Sequence, residues 1–82
     1  MNRVTILFFA TLKDRAGVPK TGLELPEGAR VADLKARLLK EHPGLAPALD
    51  STLVSINREF AFDEDIIPDG AEVALFPPVS GG

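Results

Sequence analysis

The sequence predicts a small α+β domain in which one main helix packs on one face of a mixed sheet. With 82 residues, of which 45% are hydrophobic and 26% charged, the chain has the length and composition of one globular domain. Several short runs alternate apolar and polar residues with a period of two, which indicates strands. Only one segment, at about residues 31–42, repeats its apolar residues at helical spacing. One helix and one sheet form two layers around a single core.

The first strand is predicted at residues 3–10, RVTILFFA, a β-branched and aromatic run. Its positions Val4, Ile6 and Phe8 are expected in the core, which leaves Leu7 and Phe9 on the opposite face. A short helical turn follows at residues 11–15 and ends at Gly17. Residues 20–26 alternate again, with Leu23 and Leu25 inward, and are expected to form a hairpin with the first strand.

The main helix is predicted from Val31 to His42, and Pro43-Gly44 is a strong stop signal after it. Its apolar stripe is expected to comprise Val31, Leu34, Leu38 and Leu39. Arg30 stands at the N-cap position, where a Ser, Thr, Asp or Asn side chain would usually supply an acceptor. A second, short helical piece is expected between Leu45 and Leu49.

The last third of the chain predicts three further strands separated by turns. Residues 53–57 place Val54 and Ile56 inward, and Asn57-Arg58 indicates a turn into a short strand around residues 60–62. An acidic loop follows and closes with a β-turn at residues 68–70. The final strand, at residues 72–76, is expected to turn Val73 and Leu75 inward and Ala74 and Phe76 outward.

This order of elements is that of a ubiquitin-like β-grasp, with the first and last strands adjacent in the middle of the sheet. A ferredoxin-like fold is the weaker alternative, because it needs a second full-length helix. Two parts are predicted: residues 1–76 form the β-grasp domain, and residues 77–82 form an extended, flexible C-terminal tail.

Composition excludes several classes of function. The chain has no cysteine, which excludes a disulfide framework, a thiol nucleophile and thiolate metal ligands, and which fits a cytoplasmic setting. A net charge of −3 argues against general binding to nucleic acid or to anionic membranes. The apolar run near the N-terminus is too short to span a bilayer. A core of this size leaves little room for an enclosed substrate pocket, so the domain is not expected to be catalytic alone.

Metal and anion sites are poorly supported by the residue pattern. His42 is the only histidine, and an exposed capping side chain explains it better than a metal ligand or general base. The carboxylates Asp63, Glu64, Asp65 and Asp69 lack the ligand spacing of an EF-hand, so a solvated acidic loop is expected. The basic residues of the main helix are scattered around it, which indicates a solvated surface. No metal and no bound cofactor are expected.

Outward-facing apolar residues indicate a binding surface instead. If the first and last strands are neighbours, Leu7, Phe9 and Phe76 lie close together on the sheet face opposite the helix. A contiguous apolar patch that contains two aromatic rings is typical of an interface. These three residues are therefore predicted to bind a partner.

The segment after the last strand has an unusual composition. Pro77 and Pro78 cannot donate to a sheet, and they favour an extended chain that projects from the domain. Ser80, Gly81 and Gly82 are small enough to enter a narrow channel of another protein. The reactive group of such a tail is the carboxylate of Gly82, and glycine leaves its carbonyl open to an activating enzyme.

Four stretches carry a resemblance to a known family: LFFATLKDRAG at 7–17, RVADLKARLLKEHP at 30–43, VSINREF at 54–60 and VALFPPVSGG at 73–82. Through them the sequence resembles the MoaD group of ubiquitin-like sulfur carriers, which are the small subunits of molybdopterin synthase. Arg30 departs from the threonine that is common in the group at the start of the helix, which affects the helix cap and not the chemistry.

The resemblance implies a mechanism and two partners. A ubiquitin-activating-type adenylyltransferase would use ATP to adenylate Gly82, a sulfur donor would convert it to a thiocarboxylate, and the tail would enter the large synthase subunit and pass sulfur to a pterin precursor. Gly81 and Gly82 would form the carrier site, while Phe76, Pro77, Pro78, Val79 and Ser80 would guide the tail.

Other functions share this fold and tail. They are a sulfur carrier for thiamine synthesis or for transfer-RNA thiolation, a ubiquitin-like protein modifier, and a binding module with an inert tail. The thiamine carriers usually lack the LFFATLKDRAG segment and are shorter, so they rank below the molybdopterin carrier.

Overall fold

A computed structural model of the chain describes residues 1–78. Strand β1 (Asn2–Phe8) is followed by helix α1 (Thr11–Ala16) and strand β2 (Lys20–Leu25). The main helix α2 (Val31–Glu41) leads through a 3₁₀ turn (Pro43–Leu45) into the short helix α3 (Ala46–Leu49). Strands β3 (Leu53–Ile56), β4 (Glu59–Ala61) and β5 (Glu72–Phe76) complete the domain.

Within the described residues, five strands form one mixed sheet in the order β2-β1-β5-β3-β4. The central pair, β1 and β5, is parallel, with Leu7 opposite Ala74 and Phe8 opposite Leu75. All other pairs are antiparallel. The ubiquitin-like β-grasp is therefore confirmed, including the adjacency of the first and last strands.

The core lies between the sheet and the helices. The inward positions predicted for β1, β2 and β5 are confirmed, because Ile6, Val73 and Leu75 are fully buried and Val4, Phe8, Leu23 and Leu25 are nearly so. Ala74, predicted to point outward between Val73 and Leu75, is buried as well. The core cluster also takes Val54 from β3 and a set of residues from the helices and loops: Leu12, Ala29, Val31, Leu34, Leu38, Leu45, Leu49, Ile67 and Ala71.

The apolar stripe predicted for α2 is wrong at one position. Val31, Leu34 and Leu38 are fully buried, but Leu39 is 41% exposed. Successive helical residues are rotated by roughly 100°, so Leu39 points well away from the stripe on which Leu38 lies. His42, four residues after Leu38, returns to that stripe, which places it towards the core.

The N-terminus of α2 is satisfied by backbone carbonyls of the acidic loop. The Val31 and Ala32 N–H groups donate to the carbonyl oxygens of Asp65 and Asp63, each at 3.0 Å. The Arg30 N–H donates to the Asp33 carboxylate at 2.9 Å, and the Arg30 guanidinium donates to the Glu64 carbonyl at 2.6 Å. As expected, the Arg30 side chain offers no acceptor to cap the helix, and the loop carbonyls supply the missing hydrogen-bond acceptors.

None of the helices within residues 1–78 combines the length and apolarity that crossing a membrane requires. The division into a domain at 1–76 and a tail at 77–82 stays a prediction, since Val79, Ser80, Gly81 and Gly82 lie outside the described residues.

Candidate functional site

The parallel pairing of β1 and β5 brings together the three outward apolar residues that the sequence singles out. Strand β1 ends at Phe8, so Phe9 follows the strand, and its N–H donates to the Leu75 carbonyl at 3.1 Å. This bond holds Phe9 beside the end of β5. The rings of Phe9 and Phe76 stack with their centroids 5.0 Å apart and their planes inclined by 15°. The predicted proximity of these residues is confirmed.

These side chains remain accessible although the rings stack. Phe9 is 43% exposed, and Leu7 and Phe76 are half-buried. Aromatic pairs of this kind add about 0.5–1.5 kcal/mol beyond the area that they bury. Since the pair covers only part of each ring, the remaining ring surface is available to another molecule.

A fourth apolar residue, Phe60, extends this surface across the sheet. Ser55 of β3 lies opposite Phe60 of β4, which places Phe60 on the face away from the helices, where it is 75% exposed. Leu7, Phe9, Phe60 and Phe76 are called the apolar patch below. They line a depression of about 400 Å³, whose wall is completed by Ser55, Arg58, Glu72 and Ala74.

The sequence interpretation missed Phe60 as a surface residue. The signal that could have found it is the Asn57-Arg58 turn. A hairpin loop of two residues fixes the register of its strands, so that Ile56 pairs with Glu59 and Ser55 with Phe60. Since Ile56 and Val54 point inward, Ser55 and Phe60 must point outward.

The predicted tail segment begins after β5, at one end of the patch. Strand β5 ends at Phe76, which pairs with Leu53, and Pro77 follows half-buried while Pro78 is exposed. Neither proline has an N–H group to continue the ladder. The predicted roles of Val79, Ser80, Gly81 and Gly82 fall on residues outside the described part of the chain, and they stay predictions, as do the partner-binding roles of the residues within it.

The acidic loop serves the fold through its side chains as well. The Asp63 carboxylate accepts a hydrogen bond from Lys35 Nζ at 2.9 Å, and Asp65 accepts from the Phe62 N–H at 2.7 Å. The Asp69 carboxylate accepts from the Arg3 N–H at 2.8 Å. Between Met1 and Pro78, no group of three or more potential metal ligands comes together.

His42 differs from its prediction as an exposed capping side chain. It is half-buried, and its ring meets that of Phe8 edge to face at a centroid distance of 5.8 Å. The backbone N–H of His42 donates to the Leu38 carbonyl at 2.7 Å, which closes the end of α2. His42 therefore contributes to packing at the C-terminus of the helix.

The apolar patch contains no nucleophile, acid or base. Leucine and phenylalanine side chains supply contact area and shape, which are the properties of an interface. The arrangement can therefore hold a partner beside the start of the tail. Any covalent chemistry must involve groups other than those of the patch.

Comparison with known proteins adds a family assignment. The model of the ThiS family matches residues 6–82. A molybdopterin synthase sulfur carrier subunit from Chlamydomonas reinhardtii is 35% identical over 82 residues, which covers 98% of this chain and 99% of the relative.

Two solved structures are similar in both sequence and fold. One, from Pyrococcus furiosus, was described as a candidate molybdopterin converting factor subunit 1. It is 31% identical, with a TM-score of 0.88, and the match covers 96% of this chain and 100% of that one. The other is SAMP1 from Haloferax volcanii, with 31% identity, a TM-score of 0.87 and coverage of 99% and 100%.

Proposed function

The chain belongs to the ThiS family, and we propose that within this family it acts as the sulfur carrier subunit of molybdopterin synthase. The observation that carries the proposal is the similarity to the Chlamydomonas reinhardtii sulfur carrier subunit, which extends over nearly the full length of both chains. The confirmed β-grasp fold and the apolar patch at the base of the tail support it.

In this function the reactive group is the carboxylate of Gly82. A carboxylate is a poor electrophile until one oxygen is converted into a good leaving group. A ubiquitin-activating-type adenylyltransferase would join this carboxylate to the AMP part of ATP and release pyrophosphate. A sulfur donor would then displace AMP, which leaves sulfur in place of one carboxylate oxygen. The thiocarboxylate would transfer this one sulfur to a pterin precursor and return to a carboxylate, so two such transfers would build the dithiolene that holds molybdenum.

The large subunit of the synthase is the second partner in this proposal, and it would supply the catalytic side chains. The apolar patch would bind the partner while the tail from Pro77 onwards enters the partner's active site. Gly81 and Gly82 would pass through a narrow channel, and Phe76, Pro77, Pro78, Val79 and Ser80 would guide them. ATP would be a substrate of the activating enzyme rather than a ligand of this chain, and the cytoplasm is the proposed site of action.

Binding at the patch can offset the entropy lost when the tail is ordered. Ordering each backbone residue costs about 1–2 kcal/mol, and glycine costs more than other residues. Burying the exposed parts of two or three large apolar side chains yields a few kcal/mol, at about 25 cal/mol per Å². The position of the patch next to Pro77 therefore suits a carrier whose tail must be threaded into another protein.

A ubiquitin-like protein modifier is the second candidate. It is favoured by the similarity to SAMP1, the small archaeal modifier protein 1, whose structure matches this chain as well as that of the molybdopterin converting factor subunit does. A modifier would use the same adenylated Gly82 but would form an amide with a lysine of a target protein. The two functions diverge only after activation.

The test is intact-mass analysis of the chain after incubation with ATP, the adenylyltransferase and a sulfur donor. The carrier function predicts a species heavier by the difference between one sulfur and one oxygen, and the same species should support sulfur transfer when the large subunit is added. A variant that lacks Gly82 is the matched control and should gain no mass. If a competent activating enzyme leaves the full chain unchanged, the carrier function is wrong. Conjugates to lysines without sulfur transfer would favour the modifier.

A further inference from the structure

Arg58 occupies a backbone conformation that does not suit an arginine. It is the second central residue of the two-residue loop between β3 and β4, and both loop residues have positive φ, 50° at Asn57 and 72° at Arg58. Loops of this type favour Asn followed by Gly, because glycine has no Cβ to clash in the left-handed region. Asn57 fits this preference and Arg58 does not. Residues held in such conformations concentrate at functional sites.

The charge of Arg58 is also unusual for its surroundings. It is the only Lys or Arg after Lys40, and the stretch that surrounds it carries seven carboxylates, at Asp50, Glu59, Asp63, Glu64, Asp65, Asp69 and Glu72. Within residues 1–78 its guanidinium nevertheless makes neither a hydrogen bond nor an ion pair. The fold therefore does not use this cation.

Arg58 lies beside the apolar patch. Arg58 lines the same depression as Leu7, Phe9, Phe60 and Phe76, and Glu72 is the other charged residue of that wall. An arginine at the rim of an aromatic surface is a common anchor of interfaces, since its planar guanidinium binds a carboxylate through two parallel hydrogen bonds.

We propose that Arg58 determines partner specificity, and that the patch fits a partner surface of apolar side chains bordered by a carboxylate. The carboxylate would pair with the Arg58 guanidinium while the apolar side chains fill the depression. This inference rests on the proposed function, because the partner is taken to be the large synthase subunit. The reasons are complementarity of charge and the lack, within residues 1–78, of any hydrogen bond or ion pair made by the Arg58 guanidinium.

The experiment measures the affinity of the full chain for the large subunit by isothermal titration calorimetry, at low and at high salt. Arg58→Gly is the main variant, because glycine suits φ of 72° and the variant should unfold at a temperature no lower than that of the original chain. We expect its affinity to fall at least about tenfold, and the salt dependence of binding to decrease. Arg58→Lys should recover part of the loss, since it keeps the charge but not the two-pronged geometry.

Lys40→Gln is the matched control. It removes one positive charge from an exposed position of α2, the helix that packs on the other face of the sheet, and should leave affinity within about twofold of the original. If Arg58→Gly binds as tightly as the original chain, the inference is wrong and the proposed function is unaffected. If the original chain does not bind the large subunit, both are overturned.

Discussion

At the scale of single residues, the site depends on the two aromatic rings at the junction of β1 and β5. Phe9 is fixed by its N–H bond to Leu75, and Phe76 is the last residue of its strand, so the backbone positions both rings before any partner arrives. Side chains that are already ordered lose little entropy on binding, which favours affinity. The stacked pair therefore forms a preorganised contact surface at the start of the tail.

Replacing Phe9 should weaken binding of the partner while changing the stability of the fold only slightly. We expect Phe9→Ala to weaken binding of the large subunit at least about tenfold, as is typical for a central aromatic contact. The free energy of unfolding should fall by no more than about 1.5 kcal/mol, because the ring is partly exposed and its main intramolecular contact is the stacked pair. Titration calorimetry and urea unfolding measure the two effects.

The control for this variant is Phe62→Ala. Phe62 is an exposed aromatic too, at 69%, but it does not line the depression. Its replacement should leave the affinity unchanged. Equal losses in the two variants would contradict the assignment of the patch as the docking surface.

At the scale of elements, the start of α2 shows how the acidic loop acquires a structural role. Its carbonyls accept hydrogen bonds from the first helical N–H groups, and Arg30 and Ile66 form an isolated bridge beside them. The Asp33 carboxylate completes the arrangement by accepting from the Arg30 N–H, and it also interacts favourably with the helix dipole. The loop and the helix therefore stabilise one another.

Replacing Asp33 tests this arrangement. Asp33→Ala removes the acceptor of the Arg30 N–H and a favourable charge in the first turn, so we expect the free energy of unfolding to fall by about 1 kcal/mol. Urea unfolding followed by circular dichroism gives the value. Glu27→Ala, at an exposed turn position, is the control and should change it by less than about 0.5 kcal/mol. An Asp33→Ala chain as stable as the original would show that the loop carbonyls alone suffice.

Local patterns in the sequence predicted the elements but not the contacts between distant ones. The alternation of Val4, Ile6 and Phe8 and the spacing of Val31, Leu34 and Leu38 identified the buried faces, because each pattern reflects a short-range geometry. The carbonyls that satisfy α2 come from more than thirty residues away in the chain. No local pattern contains that information.

Two rules predict most of the candidate site: alternate residues of a strand point to opposite faces of the sheet, and residues of neighbouring strands lie side by side. Leu7, Phe9 and Phe76 follow from these two rules, and Phe60 follows from the register of a two-residue hairpin. The stacking of Phe9 on Phe76, and the lack of a partner for Arg58 in the part of the chain that the structure describes, required the positions of side chains. The prediction for Leu39 is wrong because adjacent helical residues point in directions about 100° apart, so Leu39 does not share the buried face of Leu38.

At the scale of the whole molecule, charge is distributed unevenly along the chain. The segment after Lys40 contains eight acidic residues and one basic residue, although the protein as a whole has a net charge of only −3. This segment includes β3, β4 and β5, and Arg58 and Glu72 are the charged residues among those that line the depression. A partner that approaches the patch therefore meets the one basic side chain of an otherwise acidic segment.

Truncation tests how the domain and tail divide. A chain that ends at Pro78 keeps all five described strands, so we expect it to fold with a free energy of unfolding within about 0.5 kcal/mol of the full chain. It should still bind the large subunit, although more weakly, and should accept no sulfur. A chain that ends at Gly70 lacks β5 and should remain unfolded. Amide NMR spectra distinguish these outcomes, and a folded chain without β5 would contradict the role given to the central strand pair.

The position of β5 in the middle of the sheet has a consequence for synthesis in the cell. The ribosome makes β5 last of the five described strands, so β1 and β3 lack the strand that pairs with both of them until translation is almost complete. An incomplete chain that stops before residue 72 exposes unpaired strand edges and apolar surface, which favour aggregation. Each folded copy has therefore been translated at least through Phe76, the residue from which the tail departs. The topology therefore makes folding of the domain depend on translation of its last strand.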